Sequence, residues 1–319
     1  MARVMRCILF FLDGVGLGSA DPLVNPFAQQ AMPALTALLG GRRFVVGSFD
    51  SGIQHSDNAS WLALDACLGV PGLPQSATGQ AALLTGINIP LLVNGHDGPK
   101  PSPAVSAQLK NGNLFSLLQK NGHSTALLNA FPPRYFHNIQ SGYRLPGAIA
   151  LAAIHAGLSL KSTRDLVEGQ ALSADFTGQG WNDQLHIPGI PQIIPYEAGV
   201  RMAELSTFYG FSIFEYWISD IAGHRQEMQT ACNIISTLDE VISGLSHAWS
   251  DDEGLIIITS DHGNLEDLST RRHTTNPVPL ILIGASQLRQ KFLDGVENEN
   301  PGSAYDLTRV APAIINFLG

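Results

Sequence analysis

Gly254-Leu255-Ile256-Ile257-Ile258-Thr259 runs straight into Ser260-Asp261-His262-Gly263-Asn264, and a short polar stretch later the chain reads His273-Thr274-Thr275-Asn276-Pro277-Val278-Pro279. The continuous apolar run reads as a strand buried on both faces, as in a parallel sheet. Its carboxyl end delivers an Asp and a His, and a further His waits one loop away. In open α/β sheets, ligands bind outside the carboxyl ends of the strands, so the placement carries as much information as the residue types.

Working outward, similar apolar runs bounded by turn residues recur at Cys7 to Leu12, Ser124 to Asn129, Phe211 to Ile218 and Val278 to Ile283. Helical patterns alternate with them. Asn113 to Lys120 sets Leu114, Leu117 and Leu118 on one face. Gln226 to Trp249 places Met228, Ala231, Ile234, Ile235, Leu238, Val241, Ile242 and Leu245 at helical spacing, and the last helix opens at a predicted N-cap, Asp306. Alternating strands and helices predict a doubly wound α/β core with a mostly parallel sheet. Between about Pro132 and Pro195 the rhythm breaks into short helices (Gly147 to Gly157, and one opened by Ser162 or Thr163) and a Gly/Gln/Pro-rich tract. The reading is therefore a catalytic core of residues 1–131 and 199–319, with residues 132–198 a small helical or irregular cap.

Composition narrows the function. A chain of 319 residues with 45% hydrophobic and 14% charged residues has the makings of a sizeable globular core. Its formal charge of -9 argues against a nucleic-acid-binding protein. It leaves room for a phosphorylated substrate, because bound metal ions can supply positive charge locally. Three unclustered cysteines, Cys7, Cys67 and Cys232, predict neither a disulfide framework nor a thiolate metal site, as suits a reducing cytoplasm. The basic start Met1 to Arg6 followed by Cys7 to Leu12 imitates a signal peptide, but the run is short and Asp13 ends it without a small-residue cleavage site. No stretch approaches the ~20 apolar residues that span a bilayer. The expectation is a cytoplasmic protein with no membrane partner.

Chemistry-bearing residues gather at the predicted strand ends. The first strand ends in Leu12-Asp13-Gly14-Val15-Gly16-Leu17-Gly18. A dinucleotide fingerprint would place its third glycine one residue later and an acidic residue ~20 positions on. A metal-binding carboxylate in a glycine turn fits instead. The Phe211 run leads to Ser219-Asp220-Ile221-Ala222-Gly223-His224, read as a turn with Asp220 and His224 on either side of its glycine. In Pro74-Gln75-Ser76-Ala77-Thr78-Gly79-Gln80, Ser76 stands near the start of a helix that stops at Gly86. Free amides and the dipole there attract an anion, and a nearby metal would make the hydroxyl a nucleophile. The ligand types divide into two sites: Asp220, His224 and His273 in one, Asp13, Ser76, Asp261 and His262 in the other. Such mixed oxygen and nitrogen sets suit two divalent ions, manganese or zinc.

The ordered motifs resemble the alkaline phosphatase superfamily of metalloenzymes, most of all its cofactor-independent phosphoglycerate mutase and phosphopentomutase branch. The resemblance rests on Asp13-Gly14-Val15-Gly16, on Ser76 with Gly86 ten residues on, on Asp220 to His224, and on the Asp261 and His273 motifs, covering roughly residues 3–130 and 200–319. It implies a two-metal enzyme that transfers phosphoryl groups through Ser76 on a small phosphorylated substrate, as a phosphatase, phosphodiesterase or phosphomutase. Two features depart from the mutases. Gln80 stands where they carry a His, and the cap offers only Arg134, Arg144, Arg164 and Lys161 as cations, with His137 nearby. Gln80, Arg134 and His137 are the expected substrate contacts.

Overall fold

The computed structural model describes residues 5–298 and 304–319; the first four residues of the leader-like stretch lie outside that range. Seven strands form one sheet: β1 (Arg6–Leu12), β2 (Gln54–His55), β3 (Ala59–Leu64), β4 (Thr125–Leu127), β5 (Phe211–Tyr216), β6 (Gly254–Thr259) and β7 (Val278–Ile283), in the order β2-β3-β7-β6-β1-β5-β4. The four strands β6, β1, β5 and β4 are mutually parallel. Their side chains alternate between two cores. Leu9, Phe11, Leu255 and Ile257 enter one, while Ile8, Phe10, Ile256 and Ile258 enter the other, and every residue of β1 and β6 is buried. A strand covered on both faces must be apolar throughout, which is why these runs were legible.

The other half of the sheet departs from the expected pattern. β7 runs antiparallel to β6, and β3 antiparallel to β7. The sequence reading had no strand at Ala59–Leu64 and no antiparallel partner for β6. The reversal has a functional consequence. A loop before a parallel strand would lie at the amino edge of the sheet, whereas the loop from β6 into an antiparallel β7 stays at the carboxyl edge. His273 therefore reaches the same edge as Asp261 and His262.

Helix boundaries follow the sequence signals closely. Asn113 caps Leu114–Lys120 with its side chain on the Ser116 amide. The long amphipathic helix is Met228–Ala248, burying Ala231, Ile235, Leu238, Val241, Ile242 and Leu245. Asp306 caps a short 3-10 turn, Leu307–Arg309, before the final helix Val310–Leu318. Within residues 132–198, the helix Ala148–His155 buries five of its residues in the main core. Leu166, Ala171, Trp181 and Ile190 form a small satellite cluster with Ala130. Among the described residues all three cysteines are free, and no helix is long and apolar enough to cross a membrane.

Candidate metal centre

Three parallel strands end side by side, and their loops interlock. The Asp13 amide donates to the Tyr216 carbonyl at 3.0 Å, the Val15 amide donates to Ser260 Oγ at 2.9 Å, and Ser219 Oγ donates to the Asp13 carbonyl at 2.6 Å. Gly14 takes a left-handed φ of 70° that an L side chain rarely adopts, and a Cβ there would stand 2.7 Å from Asp220 Oδ1. Glu266, 1% exposed, clamps the outer layer. It accepts the amides of Gly16 (3.0 Å) and Asn264 (2.8 Å), the Asn276 side-chain amide (3.0 Å) and the Thr274 hydroxyl.

Asp220 and His224 do not flank a turn, as the sequence reading had it. Chain turns into the helix Ile218–Arg225 directly after β5, so the two residues are one helical turn apart on one face. His224 Nε2 lies 3.3 Å from Asp220 Oδ2, and His273 Nε2 lies 3.6 Å from Asp220 Oδ1. The two imidazoles face each other with Nε2 atoms 3.3 Å apart. Each Nδ1 is spent on a backbone carbonyl at 2.7 Å, Arg271 for His224 and Pro74 for His273. A carbonyl only accepts, so both Nδ1 atoms carry a hydrogen, and both Nε2 atoms are turned towards each other and the Asp220 carboxylate. Burial, then the charge of His262, holds the His273 imidazole down to about 4, so it is neutral and ready to ligate.

The second cluster is buried. Ser76 opens the helix Ser76–Thr85, and its Oγ lies 3.0 Å from His262 Nε2. His262 Nε2 is 3.3 Å from Asp13 Oδ1 and 3.6 Å from Asp261 Oδ2. The helix approaches so closely that a Cβ on Gly79 would stand 2.9 Å from the Asp261 carbonyl oxygen. Gln80, 2% exposed, donates through Nε2 to Asp13 Oδ2 (3.2 Å) and Asp261 Oδ2 (3.1 Å). Asp13 Oδ1, by contrast, is a buried oxygen that accepts no hydrogen bond. Such an oxygen is costly unless a ligand reaches it.

Charge in this pocket is unbalanced. Burial first, and then the neighbouring carboxylates, push Asp261 up to about 8 and raise Asp13 as well. Glu215 on β5 is also driven up to about 8, by burial and then by Asp13. Burial alone would lower the His262 imidazole, but Asp261, Asp13 and Asp220 outweigh it and bring it up to about 10. Without a metal, the pocket holds protons it would shed to a divalent cation. Two triples bring ligand atoms within 4.8 Å of one another: Asp220, His224 and His273, and Asp13, Asp220 and His262. The first triple is the set the sequence reading grouped together; the second joins Asp13 and His262 to Asp220, where the reading had Asp261 and Ser76, so Asp220 adjoins both. The orphaned Asp13 oxygen and the opposed Nε2 atoms fit a pair of bound divalent ions.

The expected substrate contacts fall elsewhere. Gln80 bridges two carboxylates behind the cluster. Arg134 and His137 are exposed on the helix Pro133–Gln140 and join none of the hydrogen bonds or ion pairs of the ligand set. Asn264, whose Nδ2 donates to Asp220 Oδ1 at 2.6 Å, Glu266 and Glu215 were missed. Their signal was only that polar residues follow Asp261-His262 and interrupt an otherwise apolar strand at Phe211–Tyr216.

Comparison with known proteins places part of the chain beside metalloenzymes. Residues 197–319 match the family model described as Metalloenzyme superfamily. A 136-residue stretch is 34% identical to 2,3-bisphosphoglycerate-independent phosphoglycerate mutase of Antithamnion sp., covering 40% of this chain and 25% of that one. The same-named protein of Pyropia yezoensis is 37% identical over 146 residues, covering 40% and 27%. The matched stretch thus spans about a quarter of these relatives. The alkaline phosphatase from the Antarctic bacterium TAB5 superposes over 100% of this chain and 99% of its own, with a TM-score of 0.51 and 12% identity, a likeness of fold. The resemblance read from the motifs agrees with the family match over residues 197–319 and with an alkaline phosphatase-like α/β fold.

Proposed function

We propose that the protein is a two-metal phosphoryl-transfer enzyme acting on small phosphate esters, with Ser76 as nucleophile. The observation that carries this reading is the position of Ser76 Oγ: first residue of a ten-residue helix, 3.0 Å from His262 Nε2, at the edge of the ligand cluster. Manganese or zinc suits the oxygen and nitrogen donors. Bound ions would supply Lewis acidity and lower the pKa of the hydroxyl.

The chain's own groups supply the rest. The helix start favours the negative charge of a phosphoryl group held against Ser76. His262 Nδ1 faces the Gly263 carbonyl at 3.3 Å, so the tautomer with Nδ1–H leaves Nε2, 3.0 Å from Ser76 Oγ, to hold an ion. As the Ser76 Oγ–phosphorus bond forms, Oγ gives its proton to solvent, the ester oxygen–phosphorus bond breaks, and the leaving oxygen takes a proton from solvent to depart as the alcohol. In the second step an acceptor hydroxyl attacks phosphorus, the Ser76 Oγ–phosphorus bond breaks, and the proton the acceptor loses balances the one Ser76 regains. Water as acceptor makes the enzyme a phosphatase, and the sparse cations of residues 132–198 favour that outcome, because retaining a sugar acid against water needs a cation-lined cap. The identity to proteins named phosphoglycerate mutase favours a second reading, in which the acceptor is another hydroxyl of the substrate.

Ser76→Ala tests the covalent route. Turnover of phenyl phosphate by the manganese-loaded protein is expected to fall by roughly 10³-fold or more. Acid quenching of the wild type should trap phosphate on Ser76. Undiminished turnover by a fully metallated Ser76→Ala protein sinks the proposal. Phosphoryl migration without release of inorganic phosphate would select the mutase reading.

A further inference from the structure

The insertion of residues 132–198 grips the sheet by its edge. Strand β4 is the outermost strand on its side, and the chain leaving it is paired with the insertion. The Leu172 amide donates to the Leu128 carbonyl at 2.9 Å, and the Ala130 and Phe131 amides donate to the Leu172 and Lys161 carbonyls, each at 2.8 Å. On one face of the sheet, Ala148, Ile149, Ala150, Ala152 and Ala153 enter the core that also holds the apolar side of the Ser76 helix. On the other face, Leu172 and Phe176 enter the second core. The insertion therefore closes around the edge from both sides.

Phe176 is the anchor of the second arm. It is 1% exposed, and its backbone takes a left-handed φ of 63°. A bulky L residue holds that conformation only where its surroundings over-determine it. Here Asp175 builds the turn, its carboxylate accepting the Ser173 hydroxyl and, at 2.9 Å, the Gly178 amide. The ring stacks on Tyr216 at 4.5 Å and 20° and on Phe214 at 5.3 Å and 25°, with Phe10 edge-on at 6.0 Å. Tyr216 in turn supplies the carbonyl that receives the Asp13 amide at 3.0 Å and the Ser219 hydroxyl at 2.9 Å. A side chain of the insertion is thus packed against the strand end to which the loops of Asp13 and Asp220 are tied.

A lid is drawn from segments with few buried apolar contacts, because it has to leave its seat in each cycle. Lifting this insertion would expose apolar side chains on both faces of the sheet and break the edge bonds as well. We propose that residues 132–198 are a fixed brace and not a lid, and that Phe176 is a positioning residue that steadies Asp13 through Tyr216. A consequence for the acceptor rests on the phosphoryl-transfer reading. With no cap to close over it, and with His224 44% exposed, the centre stays open to water throughout the cycle.

Amide hydrogen exchange of the manganese-loaded, full-length protein, with and without orthovanadate as the probe, reads the brace without any turnover. The Ala130, Phe131 and Leu172 amides are expected to exchange within about 10-fold of the Ile213 amide and to change by less than about 3-fold with orthovanadate. Faster exchange, or a larger change, would make the insertion a lid and overturn the brace. Phe176→Gly suits the left-handed backbone and removes only the ring. It should weaken retention of the more slowly chelated ion, assigned to the buried inner set, by about 10-fold. Trp181→Leu, in the satellite cluster of the same insertion, is the structural control and should leave that ion in place. Equal losses from both variants, or none from Phe176→Gly, would end the positioning role. If Phe176→Gly does not fold, the exchange of the wild type still decides the brace. Glycerol 2-phosphate, which carries free hydroxyls near its phosphoryl group, should be turned over with release of inorganic phosphate. Migration to a neighbouring hydroxyl without release would show that water is shut out, and would overturn the open centre. If the exchange and metal results hold while no phosphate ester is turned over, the brace stands and the phosphoryl-transfer reading alone fails.

Discussion

The two half-sites share Asp220 but are built on opposite principles. Asp220, His224 and His273 come from a helix and a loop, and their side chains are 18%, 44% and 8% exposed. Asp13, Asp261 and His262 come from strand ends, at 10%, 0% and 0%. The outer set is held by second hydrogen bonds from each imidazole to a backbone carbonyl, which orient a ligand without burying it. The inner set is held by burial itself, which raises Asp13 and pushes Asp261 up to about 8. If the two sets hold ions as proposed, the outer one is a prepared receptor and the inner one a stress that an ion would relieve.

The sharpest way to break that contrast is to remove one histidine from each side. His262→Ala takes away the cation opposite two buried carboxylates, and losing one member of such a group costs about 3–5 kcal/mol of fold stability. His224→Ala removes a half-exposed ring and should change the stability of the metal-free fold by no more than about 0.5–1 kcal/mol. It should still weaken retention of one of two ions by more than about 100-fold. Urea unfolding of the metal-free proteins, paired with metal content after graded chelation, reads both quantities. Equal stability losses would show that the inner histidine is as dispensable to the fold as the outer one.

A smaller effect separates the half-sites by pH. Asp261 at about 8 and His262 at about 10 bind protons more tightly in the folded protein than in the unfolded chain. Such groups stabilise the metal-free fold at low pH and lose that contribution as pH rises through their folded values. His273, held down to about 4, acts the other way, but only between about 4 and its ordinary 6.5. From about pH 6.5 to 10 the metal-free protein should therefore become steadily less stable. Over the same window an ion entering the inner set must displace protons, so its affinity rises with pH. An ion at the outer set meets an imidazole, His273, that is already neutral. Calorimetry in buffers of different ionisation enthalpy should count about one or more protons released at the tighter, slowly chelated site and fewer at the other. Identical proton counts would remove the distinction.

How far the sequence revealed all this depended on whether a residue's role is local. Asp13, Asp261 and His262 were legible because an apolar strand running into a polar pair has one physical reading: the pair sits at the sheet's edge. Asp220 and His224 were identified with the wrong local structure, a turn in place of a helix, since Gly223 suggests a bend and its real reason lies across space. A Cβ there would stand 2.6 Å from Asn264 Cγ. His273 depends on the antiparallel direction of β7, and no residue within β7 announces direction. Glu215 was invisible because a glutamate in an apolar strand gains meaning only from what packs against it. Arg134 and His137 show the converse: following a strand end is not enough when the next element is a helix that turns them outward.

The smallest expected effect probes how far the half-sites are independent. Gln80 ties down Oδ2 of Asp13 and Asp261 and so leaves Asp13 Oδ1 as the unbonded oxygen aimed at a ligand. Asn264 does the corresponding work for Asp220 by holding Oδ1 at 2.6 Å. Gln80→Leu keeps the volume and removes the donor, so inner-site affinity should fall by about 10-fold and the outer site should move little. Asn264→Ala should weaken both, because Asp220 adjoins both. The double variant decides the matter: if Asp220 couples the half-sites, helped by the His262 and His273 rings stacked 3.8 Å apart, the two losses will depart from additivity by more than about 0.5 kcal/mol. Strict additivity would mean that the centre is two independent metal sites sharing a wall. A measurable coupling would mean that filling the outer receptor changes how strongly the inner carboxylates demand their ion, and so links occupancy at the surface to the state of Ser76.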